Sequence, residues 1–193
     1  MEHLLGICIG IGLAAACGFR IFVPFLLMSI AAQSGHLSLY PEWQWIGTEY
    51  AVIAFGTATL IEIASYYVPW LDNLLDTIST PAAIVAGSVA MASQVSYLSP
   101  FLQWSLAIIA GGATAGIVQG GTVLIRSMST MTTAGLGNSV FSTGELAGSV
   151  ALTALSIVIP VVGICVLLVL IALLLFNTKK IRFKKNSAQP KLI

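Results

Sequence analysis

Apolar residues run along this chain in long arms, not in the narrow stripes of a soluble amphipathic helix. The first arm extends from Leu4 to about Gln33, roughly 30 residues where about 20 suffice to cross a bilayer. It contains Gly18-Phe19-Arg20-Ile21-Phe22-Val23-Pro24, which predicts a kink or break near Pro24. A loop rich in Tyr, Trp and Pro follows from Gly35 to Gly47, with Trp43 and Trp45 expected at interface level. Glu49 to Pro69 reads as a second span. Trp70 to Thr80 is a short amphipathic piece that sets Asp72 and Asp76 four apart, on one helix face. Pro81 to Leu98 reads as a short, Ala-rich third span, and Ser99-Pro100 as a tight turn. Phe101 to about Ser127 is a fourth span, and Gly144 to Phe176 is the last arm. About 33 residues of helix extend nearly 50 Å, against a hydrocarbon core of about 30 Å, so the last arm needs a kink or a hairpin, for which Pro160 and Gly163 offer the place. The pattern predicts an all-α, multi-pass transmembrane bundle of five or six spans.

Between the last two arms lies a polar run, Arg126 to Glu145, on which the rest is organised. It carries hydroxyls (Ser129, Thr130, Thr132, Thr133), Gly135, Gly137 and Asn138, with a cation at one end and an anion at the other. It contains no Lys, Asp or Pro. A polar loop outside the bilayer and a re-entrant or cavity-lining segment both fit, since irregular backbone at membrane depth is tolerated where protein or water satisfies it.

Composition sharpens this picture. The 193 residues are 58% hydrophobic and 8% charged, with a mean hydropathy of +0.98. Soluble domains carry about 25% charged residues, so a soluble globular fold is excluded. All basic residues except Arg20 and Arg126 lie from Lys179 onward. The chain thus divides into one polytopic membrane domain, 1–177, and a basic tail, 178–193, whose Lys and Arg residues place the C-terminus on the cytoplasmic side. The opening Met-Glu-His-Leu-Leu lacks the positive region of a secretory signal, so the first apolar run is expected to be retained.

Small residues suggest a duplication. Gly10, Ala14 and Gly18 are spaced by four, as are Gly112, Gly116 and Gly120, and the segment from Glu49 aligns with that from Glu145 at a near-equal offset. Repeat halves of about 4–98 and 101–177 would be inverted if three spans separate them, an architecture that many secondary transporters share. The same ridges let helices pack closely in lipid, within one chain or across a homodimer.

Arg20 and Glu62 lie deep within apolar arms, where a charge costs at least a few kcal/mol and must pair or line a water path. Within the apolar region, Arg20 and Arg126 face a larger set of carboxylates, Glu49, Glu62, Asp72, Asp76 and Glu145. Surplus buried carboxylates take a proton or hold a cation, which favours coupling; an Arg20–Glu62 pair that only sets helix register is the structural alternative. Cys8, Cys17 and Cys165 have no metal-type spacing, and His3 and His36 lie outside the spans. No hydrolase, metalloenzyme or phosphate-loop pattern occurs, so no enzyme, metal or cofactor is expected. No basic stripe with interleaved aromatics points to nucleic acid.

Three pieces together resemble the bacterial integral-membrane family known as domain of unknown function 4126: Gly18-Phe19-Arg20 with Pro24; Glu62 with Pro69-Trp70-Leu71-Asp72, Asp76 and Thr80-Pro81; and Arg126 with Ser129-Thr130, Thr132-Thr133, Gly135, Asn138 and Glu145. The resemblance runs from about Leu4 to Val158 and implies a multi-pass protein of the bacterial inner membrane without an established activity. The family pattern often has a His and a Lys at the positions of Gln119 and Thr122.

The residues together predict a transporter or lipid-type flippase for an anionic solute or headgroup. Arg20 and Arg126 would hold the anion, because a guanidinium matches phosphate or carboxylate bidentately. Ser129, Thr130, Thr132, Thr133 and Asn138 would add neutral hydrogen bonds, with Gly135 and Gly137 allowing close backbone approach. Glu62, Asp72, Asp76 and Glu145 would carry coupling protons or counter-charge. The alternative is a non-transporting membrane scaffold or accessory subunit. Membrane lipid is the expected surrounding partner in either case.

Overall fold

The computed structural model describes residues 2–65, 69–133 and 138–169, which form helices and turns with no strand among them. Helices α1 (Glu2–Cys17) and α2 (Phe22–Gln33) divide the first arm. A 3-10 turn (Pro41–Gly47) leads into α3 (Glu49–Ser65) and then α4 (Pro69–Gln94). Next come α5 (Pro100–Leu106), a π-helical turn (Ala107–Gly112) and α6 (Ala113–Thr133), which run on as one continuous rod over Pro100–Met131. Helices α7 (Asn138–Val158) and α8 (Pro160–Val169) complete the described chain. Two helices, Pro100–Met131 and Val140–Val158, are long and apolar enough to cross a membrane, and the 3-10 turn with α3 would make a third, bent by 61°.

The first arm is not one kinked crossing. Its helix breaks at residues 18–21, earlier than Pro24, which sits in the first turn of α2, where no amide donor is required of it. The chain then folds back. His3 at the start of α1 stacks on Tyr97 at 4.0 Å, and Tyr40, beyond the end of α2, lies 6.4 Å from the same ring. Both ends of the hairpin therefore lie at one end of the molecule. At 1.5 Å per residue, α1 and α2 are about 24 and 18 Å long, shorter than the ~30 Å hydrocarbon core. Gly35 stops α2 with φ +74, a left-handed conformation that glycine takes without strain. The amide of His36 then donates to the carbonyl of Ala31 at 2.8 Å and that of Gly35 to Ala32 at 3.2 Å, closing the helix end.

Contacts fix the directions of the other helices. Gly6 meets Gln94, Gly10 meets Met91 and Ala14 approaches Gly87, so α1 and α4 are antiparallel. Ser79 bonds Gln119 while Gly87 meets Gly111, so α4 and α6 are antiparallel too. Consequently α1 and α6 run the same way, whereas an inverted repeat requires its copies to run oppositely. Phe25 stacks on Phe55 at 5.3 Å and Phe22 bonds Glu62, so α3 runs against α2. Thus α3 and α7, the second matched pair, do run oppositely.

Two expected elements merge. The amphipathic piece Trp70–Thr80 and the span from Pro81 form one helix of 26 residues that continues through Pro81. The last arm breaks at Ile159, before Pro160. Gly163 packs on the backbone of Ser156, and Leu167 joins the buried cluster of Ala15, Ala16, Val118 and Leu152, so α8 turns back onto the bundle.

Beside larger residues such as Leu13, Met28 and Met91, the core holds many small and polar side chains, and many large apolar ones face outward. Ala14, Ala15, Ala16, Ala83, Ala90 and Ala115 are buried; Tyr50, Leu60, Ile109, Met131 and Val140 are exposed. In water this distribution would be an aggregation liability; in lipid it is the ordinary one, because close packing of small residues drives association there. A Cβ at Gly18 would lie 2.6 Å from the carbonyl oxygen of Ala115, and one at Gly111 would lie 2.6 Å from that of Gly87. The glycine ridges thus serve packing inside one chain, with the exception of Gly120, which no described residue approaches within 4 Å.

Candidate functional site

The site begins with the break between α1 and α2. The amides of Gly18, Phe19 and Arg20 still bond back into α1, but those of Ile21 and Phe22 open α2 and have no helical acceptor. No side chain of the local sequence caps them. Glu62 of α3 does so instead. Its Oε1 accepts from the Ile21 amide at 2.9 Å and its Oε2 from the Phe22 amide at 3.1 Å. A carboxylate at a helix N-terminus also meets the positive end of the helix dipole, so Glu62 holds the hairpin tip by both charge and hydrogen bonds.

Arg20 occupies that tip and is 1% exposed. Its Nη2 donates to the carbonyl of Ser142 at 2.9 Å and to the Ser142 hydroxyl, and lies 3.7 Å from Glu145 Oε2. Arg126 is 1% exposed as well and grips Glu145 side-on, with Nε to Oε1 at 3.0 Å and Nη2 to Oε2. Two guanidiniums from different hairpins therefore converge on one carboxylate. The side-on fork is the strong geometry for this pair.

Local chain geometry explains the second half of the cluster. Arg126 lies as far before the end of α6 as Glu145 lies after the start of α7, so folding the two helices into an antiparallel hairpin brings the charges level. The first half depends on a stripe along α7. Ser142, Glu145, Ser149, Leu152 and Ser156 are all buried at helical spacing and face α1. Ser149 Oγ donates to the Ala16 carbonyl at 3.1 Å, and Gly12 touches Ser156. This ladder sets the register that delivers Arg20 to Ser142. Ser142 and Ser149 were not singled out from the sequence, although small polar residues at i, i+3 and i+7 through Glu145 are a readable signal.

The other sequence candidates divide. Ser129 is buried on α6, while Thr130 beside it is exposed. The side chains of Asp72, Asp76, Thr132, Thr133 and Asn138, together with Gly135, Gly137 and the basic tail, lie outside what the structure describes. Gln119 and Thr122 are buried and engaged: Gln119 Nε2 donates to Ser79 Oγ at 2.8 Å, and the Thr122 hydroxyl donates to the Gln119 carbonyl at 2.9 Å. Among the described residues no group of three His, Cys, Asp or Glu could hold a metal.

Two cavities flank the hairpin tip. One, of about 380 Å³, lies against Glu62 and is walled by Ile21, Phe22, Ile61 and Ser79. The other, of about 220 Å³, lies against Glu145 and is walled by Phe19, Thr122, Val140 and Phe141. Phe19 lines one and Ile21 lines the other, so Arg20 sits in the chain between them.

No curated protein and no solved structure matches this chain. The family model described as "Domain of unknown function (DUF4126)" matches residues 7–180. Apolar helices, lipid-type exterior and that match over most of the chain agree, and the protein belongs to the DUF4126 family.

Proposed function

We propose that the protein moves an anionic solute or lipid headgroup across the bacterial inner membrane, using Arg20 and Arg126 as the anion site and Glu145 as its internal counter-charge. The observation that carries this reading is the convergence of two buried guanidiniums on one carboxylate, with a cavity on either side of Arg20. An incoming anion competes with Glu145 for the guanidiniums, and the released carboxylate can take a proton, which couples the two movements. In this reading α1 and α2 form a re-entrant hairpin whose irregular tip is tolerated at membrane depth because Glu62 satisfies its amides. The C-terminal tail faces the cytoplasm. The remaining helices, α3, α4, the continuous α5–α6 rod, α7 and α8, supply at most five crossings, and Gly120, which no described residue approaches within 4 Å, is where a second copy would pack. A duplicated, inverted ancestry is compatible with the opposed directions of α3 and α7 and is not required by the mechanism.

Native mass spectrometry of gently extracted protein tests this without a guess at the substrate. The wild type should carry a co-purifying anionic lipid or metabolite that the folded fraction of Arg126→Gln loses. Identical occupancy in both would refute the anion site.

One observation favours a second reading, a membrane scaffold in which charges only set register: Arg126 and Glu145 already bond each other in a buried, side-on pair. That reading predicts that Arg126→Gln lowers folded yield and that a partner subunit stays bound in both samples.

A further inference from the structure

We infer that the crevice between α6 and α7 is a lateral portal, through which an anionic amphiphile enters from the bilayer with its headgroup toward Glu145 and its chain against Val140 and Phe141. The inference rests on the anion reading above and names its substrate class. Three features of the crevice carry it.

Its walls change character with depth. Val140 is 73% exposed and Phe141 42%, and both are apolar; Thr122 and Glu145, at the inner end, are buried and polar. Behind Glu145 stand the guanidiniums that hold it. An apolar mouth that ends in a charge cluster complements a molecule with a chain and an ionic head, whereas a small hydrated anion would lose water along the mouth without replacement.

Its position sets the medium at the mouth. Helix α6 and helix α7 belong to the two segments long and apolar enough to cross a membrane, and with both crossing, the gap between their outer faces would open onto lipid. Glu145 is seven residues into α7, about 10 Å below its start at 1.5 Å per residue.

The wall is also kept open by a missing side chain. Gly144 lines the crevice, and a Cβ built there meets nothing within 4 Å. Side chains of increasing size at this position therefore extend progressively into the crevice.

The test titrates two probes, dioctanoyl phosphatidic acid and inorganic phosphate, against the full chain by native mass spectrometry. Wild type and Gly144→Ala should bind the lipid alike. Gly144→Leu and Gly144→Trp should bind it progressively more weakly, by about tenfold or more at Trp, equivalent to about 1.4 kcal/mol. Inorganic phosphate should bind much more weakly than the lipid. The graded series keeps the test decisive should the Trp variant fold poorly. Lipid binding that ignores Gly144→Leu while Arg126→Gln abolishes it would overturn the portal and leave the anion site standing. Phosphate binding as tight as the lipid's would also overturn the portal. Lipid binding that survives Arg126→Gln would instead overturn the anion reading itself.

Discussion

The hairpins α1–α2 and α6–α7 both bring an arginine to the same carboxylate, yet they are held in opposite ways. In α6–α7 the ion pair is nearly local, since Arg126 and Glu145 lie at matched distances from the turn and meet once the helices run antiparallel. In α1–α2 nothing local suffices. The tip amides are capped by Glu62 of α3, and Arg20 is anchored on Ser142 of α7, 122 residues away. A break inside an apolar arm is stable only where the rest of the fold supplies its missing hydrogen bonds. The first hairpin is thus a product of the bundle, and the second helps to make it.

Removing the shared element should have the largest effect. Glu145→Ala removes the carboxylate that both buried guanidiniums contact and should cost about 3–5 kcal/mol, the range for breaking a buried pair. Unfolding in mixed micelles measures it, and a loss below about 1 kcal/mol would mean that the guanidiniums are held mainly by other groups. The next effect separates the hairpins. Glu62→Ala strips two acceptors from the tip and should cost about 2–6 kcal/mol, at about 1–3 kcal/mol for each stranded donor. Hydrogen exchange should accelerate at Ile21 and Phe22 while α6 and α7 keep their protection; equal acceleration in both hairpins would show that they open as one unit. Smallest is the ladder between α1 and α7. Ser149→Ala removes one interhelical bond and should cost about 0.6 kcal/mol. Combined with Arg20→Gln it should be less than additive if the ladder positions Arg20, and additive if it does not.

Several features were legible because they depend on composition or short-range spacing. The apolar arms, the break near Pro24 and the hinge at Pro160 are found where the pattern put them, to within a few residues, whereas the run from Arg126 to Glu145, read as a polar loop or re-entrant segment, is in its described parts the end of α6 and the start of α7. The merger of Trp70–Thr80 with the following span was not legible, because Pro81 reads as a helix start and stands here inside one. The partners of Glu62 were not legible. As an acidic residue in an apolar arm it invites pairing with Arg20, whereas its two oxygens are taken by backbone amides.

By itself the sequence determined that the chain is helical, lipid-facing outside and closely packed inside, and that Arg20 and Glu62 lie deep within apolar arms. Hydropathy and small-residue spacing encode these directly, because each depends on what a segment is made of. Only the tertiary structure decided that the first arm doubles back, that the two glycine ridges run the same way, and that Arg20 and Arg126 share Glu145. Those outcomes depend on direction and register. An apolar helix has the same hydropathy whichever way it points, and only its neighbours can choose.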